Sequence, residues 1–212
     1  MKKISMFIVL SLIMACGSNE KPEGYVNFDA PDGVDEYKPT TYYFIRHAEK
    51  ELNVEDNPQL TFAGIKRANY WGEFLKDKEL NSFYTTKFTR NYQTLIPILH
   101  HYKGEPTVYE PKADSLFSKE FWQNTYGKNV VVVGHNNTTP AFVNEILRQE
   151  KYDIIEDGVN GNLYRVDIDE KGFIQDTLLN YEKFELPEEI LKELEYLNEA
   201  SEVDSQKLQE VS

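Results

Sequence analysis

The run Asn129-Val130-Val131-Val132-Val133-Gly134 constrains the fold more than any other stretch of the chain. Four consecutive valines show no polar alternation, so a strand formed here has to be buried on both faces. Burial on both faces belongs to the middle of a parallel sheet whose crossover helices cover it above and below. Tyr42-Tyr43-Phe44-Ile45 is a second run of the same character. With helical periodicities between such runs, the expectation is an α/β domain: three α/β/α layers around a mostly parallel central sheet. The 212 residues suit one good-sized domain.

Local signals place the other elements. Leu60-Thr61 opens a helix with Thr61 as N-cap and Ile65, Ala68, Trp71 or Gly72, and Leu75 along its apolar stripe. Residues 82–85 read as a short strand, and 86–90 as a turn into a helix with the stripe Tyr92, Leu95, Ile96 and Leu99. Pro97 inside that helix predicts a kink or an early end. Residues 107–109 read as a third strand and 113–126 as a helix. Thr139 reads as an N-cap with Pro140 at the first helical position. Residues 163–168 and 173–179, flanking Glu170-Lys171-Gly172, read as a hairpin at the sheet edge.

The two ends differ from this pattern. Residues 1–15 combine Lys2 and Lys3 with an apolar run too short to span a bilayer, as in a signal peptide. Ile13-Met14-Ala15-Cys16 resembles a bacterial lipobox, which implies cleavage before Cys16, the only cysteine, and lipid attachment to it. The expected location is the bacterial envelope, facing the periplasm, with membrane contact through the lipid alone. Residues 16–39 read as a tether in which Tyr25, Val26 and Phe28 could pack on the domain surface, 40–185 as the domain, and 186–212 as a C-terminal helix with a polar tail. In that helix Ile190, Leu194 and Leu197 share a face.

The net charge of −13 repels polyanions, so nucleic acid is not an expected partner, and any anion site must be built locally. Arginine is scarce: Arg46, Arg67, Arg90, Arg148 and Arg165 are all there are. Two of the buried-strand runs end in histidine, as Ile45-Arg46-His47 and Val133-Gly134-His135, and Arg90 follows the strand at 82–85. Parallel strands deliver their C-terminal ends to one sheet edge, where open α/β folds bind ligands. Two guanidiniums there can hold phosphoryl oxygens, while one imidazole attacks phosphorus and the other donates a hydrogen bond. His100 and His101 are adjacent, and no His-x₃-His or cysteine pair is present, so no metal or cofactor is expected.

These blocks resemble the histidine phosphatase superfamily, which includes the cofactor-dependent phosphoglycerate mutases and small phosphohistidine phosphatases. Arg46-His47-Ala48-Glu49 matches its opening motif, Asn53 an Asn that often follows near the phosphate, and Leu60 to Ala68 its Leu-Thr-x-x-Gly helix. Tyr84 to Thr94 matches the block with the second Arg, and Val132 to Asn136 the block with the second His. The resemblance implies a phosphoglycerate mutase-like fold and a metal-independent phosphatase acting on a small phosphorylated substrate or a phosphoprotein. His47 would carry a phosphohistidine, with Arg46, Arg90 and His135 catalytic. Asn53 and Asn136 would join Arg46, Arg90 and His135 in phosphate binding. Some members carry an acid directly after the second His; here that position is Asn136. Glu110, off the end of the third strand, is the leading proton donor, with Asp114 and Glu120 as alternatives. A non-catalytic phospho-ligand binding module and a phosphomutase are the competing functions.

Overall fold

A computed structural model gives the structure of the chain. It describes residues 24–26, 28–31, 37–112 and 114–210, the last eleven by backbone only. The signal-like segment and Cys16 lie outside the described residues, as does most of the expected tether.

β1 (Thr40–Arg46) and β4 (Asn129–Gly134) lie side by side in parallel, from Thr41 opposite Asn129 to Arg46 opposite Gly134. β2 (Ser82–Thr85) pairs in parallel with the far side of β4, and β3 (Thr107–Val108) with β2. On the other side of β1, β5 (Asn162–Ile168) and β6 (Ile174–Asn180) form an antiparallel hairpin. The sheet order is β3-β2-β4-β1-β5-β6. The hairpin stands at the edge, and the four parallel strands point their C-terminal ends the same way, as their sequences predict.

Alternation along the central strands divides them between two cores. Val131 and Val133 join Tyr43, Ile45 and Phe83 under α1 (Phe62–Leu75) and α2 (Thr89–Tyr102), where Trp71, Leu75, Leu95 and Ile98 meet them. Val130 and Val132 join Tyr42 and Phe44 on the opposite face, under α3 (Lys119–Thr125) and α4 (Thr138–Leu147). The molecule is therefore a three-layer α/β/α sandwich. α5 (Glu188–Glu210) follows the hairpin.

Several local expectations are corrected. α2 runs through Pro97 to Tyr102, and the face it buries carries Asn91, Thr94, Leu95 and Ile98, while Tyr92 and Ile96 are exposed. Polar residues turn inward there because the strand end and the following loop supply their hydrogen-bond partners. Ile65 likewise lies outside the buried stripe of α1. α3 is only seven residues long: Ser118 caps it, and Leu116 and Phe117 are buried from a preceding turn whose amides donate to the Glu145 carboxylate. Thr139 is not the N-cap of α4, which starts at Thr138; its hydroxyl reaches the Ile45 carbonyl at 3.4 Å. Pro140 is thus in the first turn, where its missing N–H has no intrahelical partner to lose. In α5, Leu197 is exposed. Part of the expected tether belongs to the fold: Val26 is fully buried, its amide donates to the Gly172 carbonyl, and Tyr25 packs on Phe173.

Candidate active site

The parallel register sets Arg46 and Gly134 opposite each other at the C-terminal edge of the sheet, so His47 and His135 leave adjacent strands as neighbours. Their ring centroids are 5.6 Å apart, and the His47 amide donates to the Gly134 carbonyl. Arg90 enters from the first turn of α2. Asn91, next to it, donates from Nδ2 to the Val133 and Gly134 carbonyls at 3.1 and 2.9 Å, fixing the start of α2 to the end of β4. The structure therefore brings Arg46, His47, Arg90 and His135 together, with both histidines and Arg46 buried.

The hydrogen bonds assign the tautomers. Nδ1 of His47 lies 2.9 Å from the Ala48 carbonyl oxygen, which can only accept, so Nδ1 carries the proton and Nε2 keeps its lone pair. His135 has the opposite arrangement. Arg90 Nη2 lies 3.4 Å from Nδ1 and can only donate, which leaves the ring proton on Nε2, 3.1 Å from Thr86 Oγ1. Burial, reinforced by Arg90, Arg46 and His135 and opposed by the Ala48 bond, holds His47 down at about 3. Burial, then Arg90 and Arg46, lowers His135 to about 4. Both rings are neutral at physiological pH.

The guanidiniums are held from behind. Arg46 Nη1 donates to the Glu156 and Val159 carbonyls, both at 3.0 Å, and Nη2 lies 3.6 Å from Asp157. Arg90 packs 4.6 Å over the Phe88 ring, which also stands perpendicular to the His135 ring. Burial lowers both guanidinium pKa values, against Asp157 at Arg46 and together with Arg46 at Arg90, yet arginine remains a cation near neutrality. Arg46 Nε and Arg90 Nε are buried without an acceptor. Two unpaired buried donors beside two imidazoles suit an anion with several acceptor oxygens, and the α2 and α4 N-termini lie at the same edge.

The remaining predicted residues stand apart from this cluster to different degrees. Asn136 is half-buried next to His135, and its carbonyl accepts from the Ile155 amide. Asn53 is exposed in the 51–57 loop. Glu110 leaves β3 at the same sheet edge but is exposed; its carboxylate accepts from the Lys112 amide and lines a cavity of about 260 Å³ with Tyr109 and Glu120. Asp114 and Glu120 are exposed. None of the four central residues lines that cavity.

Other contributors have no role assigned by the motifs, although Thr86 and Thr94 lie inside the Tyr84–Thr94 block. Thr86 partners His135, and Thr94 accepts from the Ala48 amide at 2.9 Å. Thr138 accepts from the His135 amide, and Asn160 donates to the His47 carbonyl at 2.8 Å. Residues 156–160 form a collar around Arg46 and His47, reached across more than a hundred residues of sequence. The Asp157-Gly158 turn, with Gly158 at φ +86°, was its only local signal. Glu49 pairs with Arg67 and not with its neighbour Lys50.

No curated protein matches the chain by sequence. Residues 42–114 match the model of the Histidine phosphatase superfamily (branch 1). Among solved structures, the protein histidine phosphatase SixA complexed with tungstate superposes with a TM-score of 0.52 at 16% identity, covering 66% of this chain and 96% of that one. A phosphoserine phosphatase mutant from Entamoeba histolytica in complex with phosphoserine gives 0.52 at 16% identity, covering 67% and 97%. Phosphoglycerate mutase from Bacillus anthracis gives 0.52 at 16% identity, covering 68% and 93%. Residues 42–114 are thus similar to the histidine phosphatase superfamily, and the chain has the phosphoglycerate mutase-like fold of these structures.

Proposed function

We propose that this chain is a phosphatase that transfers a phosphoryl group from a phosphomonoester or phosphohistidine to His47 and then to water. The observation that carries the reading is the neutral His47, with its proton fixed on Nδ1 and Nε2 unprotonated among Arg46, Arg90 and His135. Nε2 forms the bond to phosphorus as the bond to the leaving oxygen breaks. The ring becomes cationic, and its Nδ1–H goes on donating to the Ala48 carbonyl. Arg46 and Arg90 bind the transferring oxygens, where charge is retained throughout the displacement. Water then attacks the phosphohistidine, releases phosphate and restores the imidazole.

The test is hydrolysis of a generic aryl phosphate by the purified domain and by His47→Ala. Wild type is expected to turn over and to take up acid-labile, base-stable phosphate; His47→Ala is expected to do neither. Equal rates would sink the reading. Phosphate-dependent thermal stabilisation without turnover would identify a binding module instead.

For the proton donor, Glu110 is proposed from its position after β3. Asp157 is the competing residue, because among the described residues it is the one carboxylate within ion-pair distance of the four. An aryl oxygen leaves without help, whereas an alkyl oxygen needs a proton. The donor is therefore whichever of Glu110→Gln and Asp157→Asn loses about 10²–10⁴-fold on alkyl phosphates while keeping its aryl phosphate rate. Unchanged alkyl rates in both would leave the proton to solvent.

A further inference from the structure

We propose that Arg67 and Glu182 form a clasp that positions the nucleophile, making Arg67 a positioning residue for the phosphoryl transfer proposed above, on which this inference rests. Arg67 lies on α1, only 3% exposed. Its Nε and Nη2 both lie 2.8 Å from Glu49 Oε1. Nη1 donates to the Tyr181 carbonyl at 2.9 Å, Nη2 lies 3.3 Å from Glu182 Oε2, and the guanidinium covers the Phe184 ring at 4.8 Å. A buried ion pair is a poor source of net stability, because desolvation offsets most of the attraction. The information lies in where its partners lead.

The first arm leads forward from the nucleophile. Glu49 follows Ala48, whose carbonyl fixes the His47 tautomer, and the Glu49 carbonyl accepts from the Thr61 amide at 2.9 Å. An added Cβ at Gly64 would lie 2.1 Å from that same carbonyl, so α1 rests directly on this peptide. The second arm runs through the C-terminal segment. Glu182 Oε1 accepts from the Gly161 amide at 2.5 Å, and the Tyr181 amide donates to the Gly161 carbonyl at 2.7 Å. A Cβ at Gly161 would meet Glu182 N at 2.4 Å, so this approach demands glycine. Gly161 continues from Asn160, which holds the His47 carbonyl, and from the collar whose carbonyls hold Arg46. Both arms end on the Arg46-His47 pair, yet neither Arg67 nor Glu182 hydrogen-bonds to the anion-facing groups. Such a device acts on the placement of Nε2, to which transfer rates are steeply sensitive.

The experiment compares wild type, Arg67→Met, Glu182→Ala and Glu182→Gln for kcat and KM on an aryl phosphate, alongside ¹⁵N spectra of the histidine rings assigned through His47→Ala. Glu182 is about a third exposed on its side chain, so its variants are expected to fold, as checked by circular dichroism. Glu182→Ala is expected to lower kcat by roughly 10–100-fold with KM within about threefold. Glu182→Gln, which keeps an acceptor for the Gly161 amide, recovers most of the rate. In Arg67→Met and Glu182→Ala the His47 nitrogens shift from a pure Nδ1–H signature toward a tautomer mixture. Wild-type kcat with unchanged His47 nitrogens in folded Glu182→Ala overturns the clasp, as does a loss confined to KM. If wild type itself shows no turnover above His47→Ala, the phosphatase reading fails and the ring spectra alone decide the clasp.

Discussion

A histidine that attacks phosphorus must be unprotonated, and the surroundings of His47 meet that need by exclusion of water more than by any basic partner. Burial, with the neighbouring cations, pulls it to about 3, so the acidic limb of kcat/KM, once corrected for the substrate's own second ionisation, lies far below the usual histidine value near 6.5. The expected profile is flat from pH 7 down to about 5; a limb centred near 6.5 would contradict the geometry. The same shift has a sign for folding. The unfolded chain binds protons at His47 and His135 below about 6.5 while the folded chain does not until about 3 and about 4. Stability therefore rises with pH across that window, is complete above about 6.5, and is lost as the solution is acidified. Of these site residues, Arg46, His47, Arg90 and His135 were legible because each sits next to a strand end or helix start that the sequence announces. The roles of Thr86 and Thr94, although inside the block with the second Arg, and of Asn160 were not, since a buried hydroxyl or amide becomes informative only when its distant partner is known.

At the level of elements, strong patterns were read correctly wherever a segment's environment was uniform. The four valines of β4 are buried on both sides, and β4 lies inside the sheet between β2 and β1 as that burial requires. Mixed environments misled. α2 presents Asn91 and Thr94 to the sheet because carbonyls and an amide wait there, and a purely apolar stripe points to the wrong face. The polar, Pro- and Gly-punctuated composition around Val26 reads as a tether with a few residues able to pack on the domain, and pairing brings that part into the fold. The Val26 amide donates to Gly172, the Gly24 carbonyl accepts from Ile174 at 2.7 Å, and the Asp29 carbonyl accepts from the Trp122 indole at 3.0 Å. This short strap joins the β5–β6 hairpin to α3, with the fully buried Val26 at its centre. Val26→Ala is expected to cost about 1–3 kcal/mol in urea unfolding. No change would show that the strap lies on the domain without contributing to it.

For the molecule as a whole, an acidic chain with a net charge of −13 keeps a cationic site more readily where neutral carbonyl oxygens supply the close hydrogen bonds and the nearest carboxylate stands farther off. Arg46 is held that way, so its charge remains available to an anion while its geometry is fixed. The superfamily match ends at residue 114, yet His135, the collar and the Glu182 side of the clasp lie beyond it. The collar closes on Arg46 and His47 over sequence separations of 110 and 113 residues. Closures of that span are entropically unfavourable until the intervening sheet exists to reward them. During synthesis His47 is thus made early and seated last: a nascent chain holding β1 through β4 lacks the peptide that seats it.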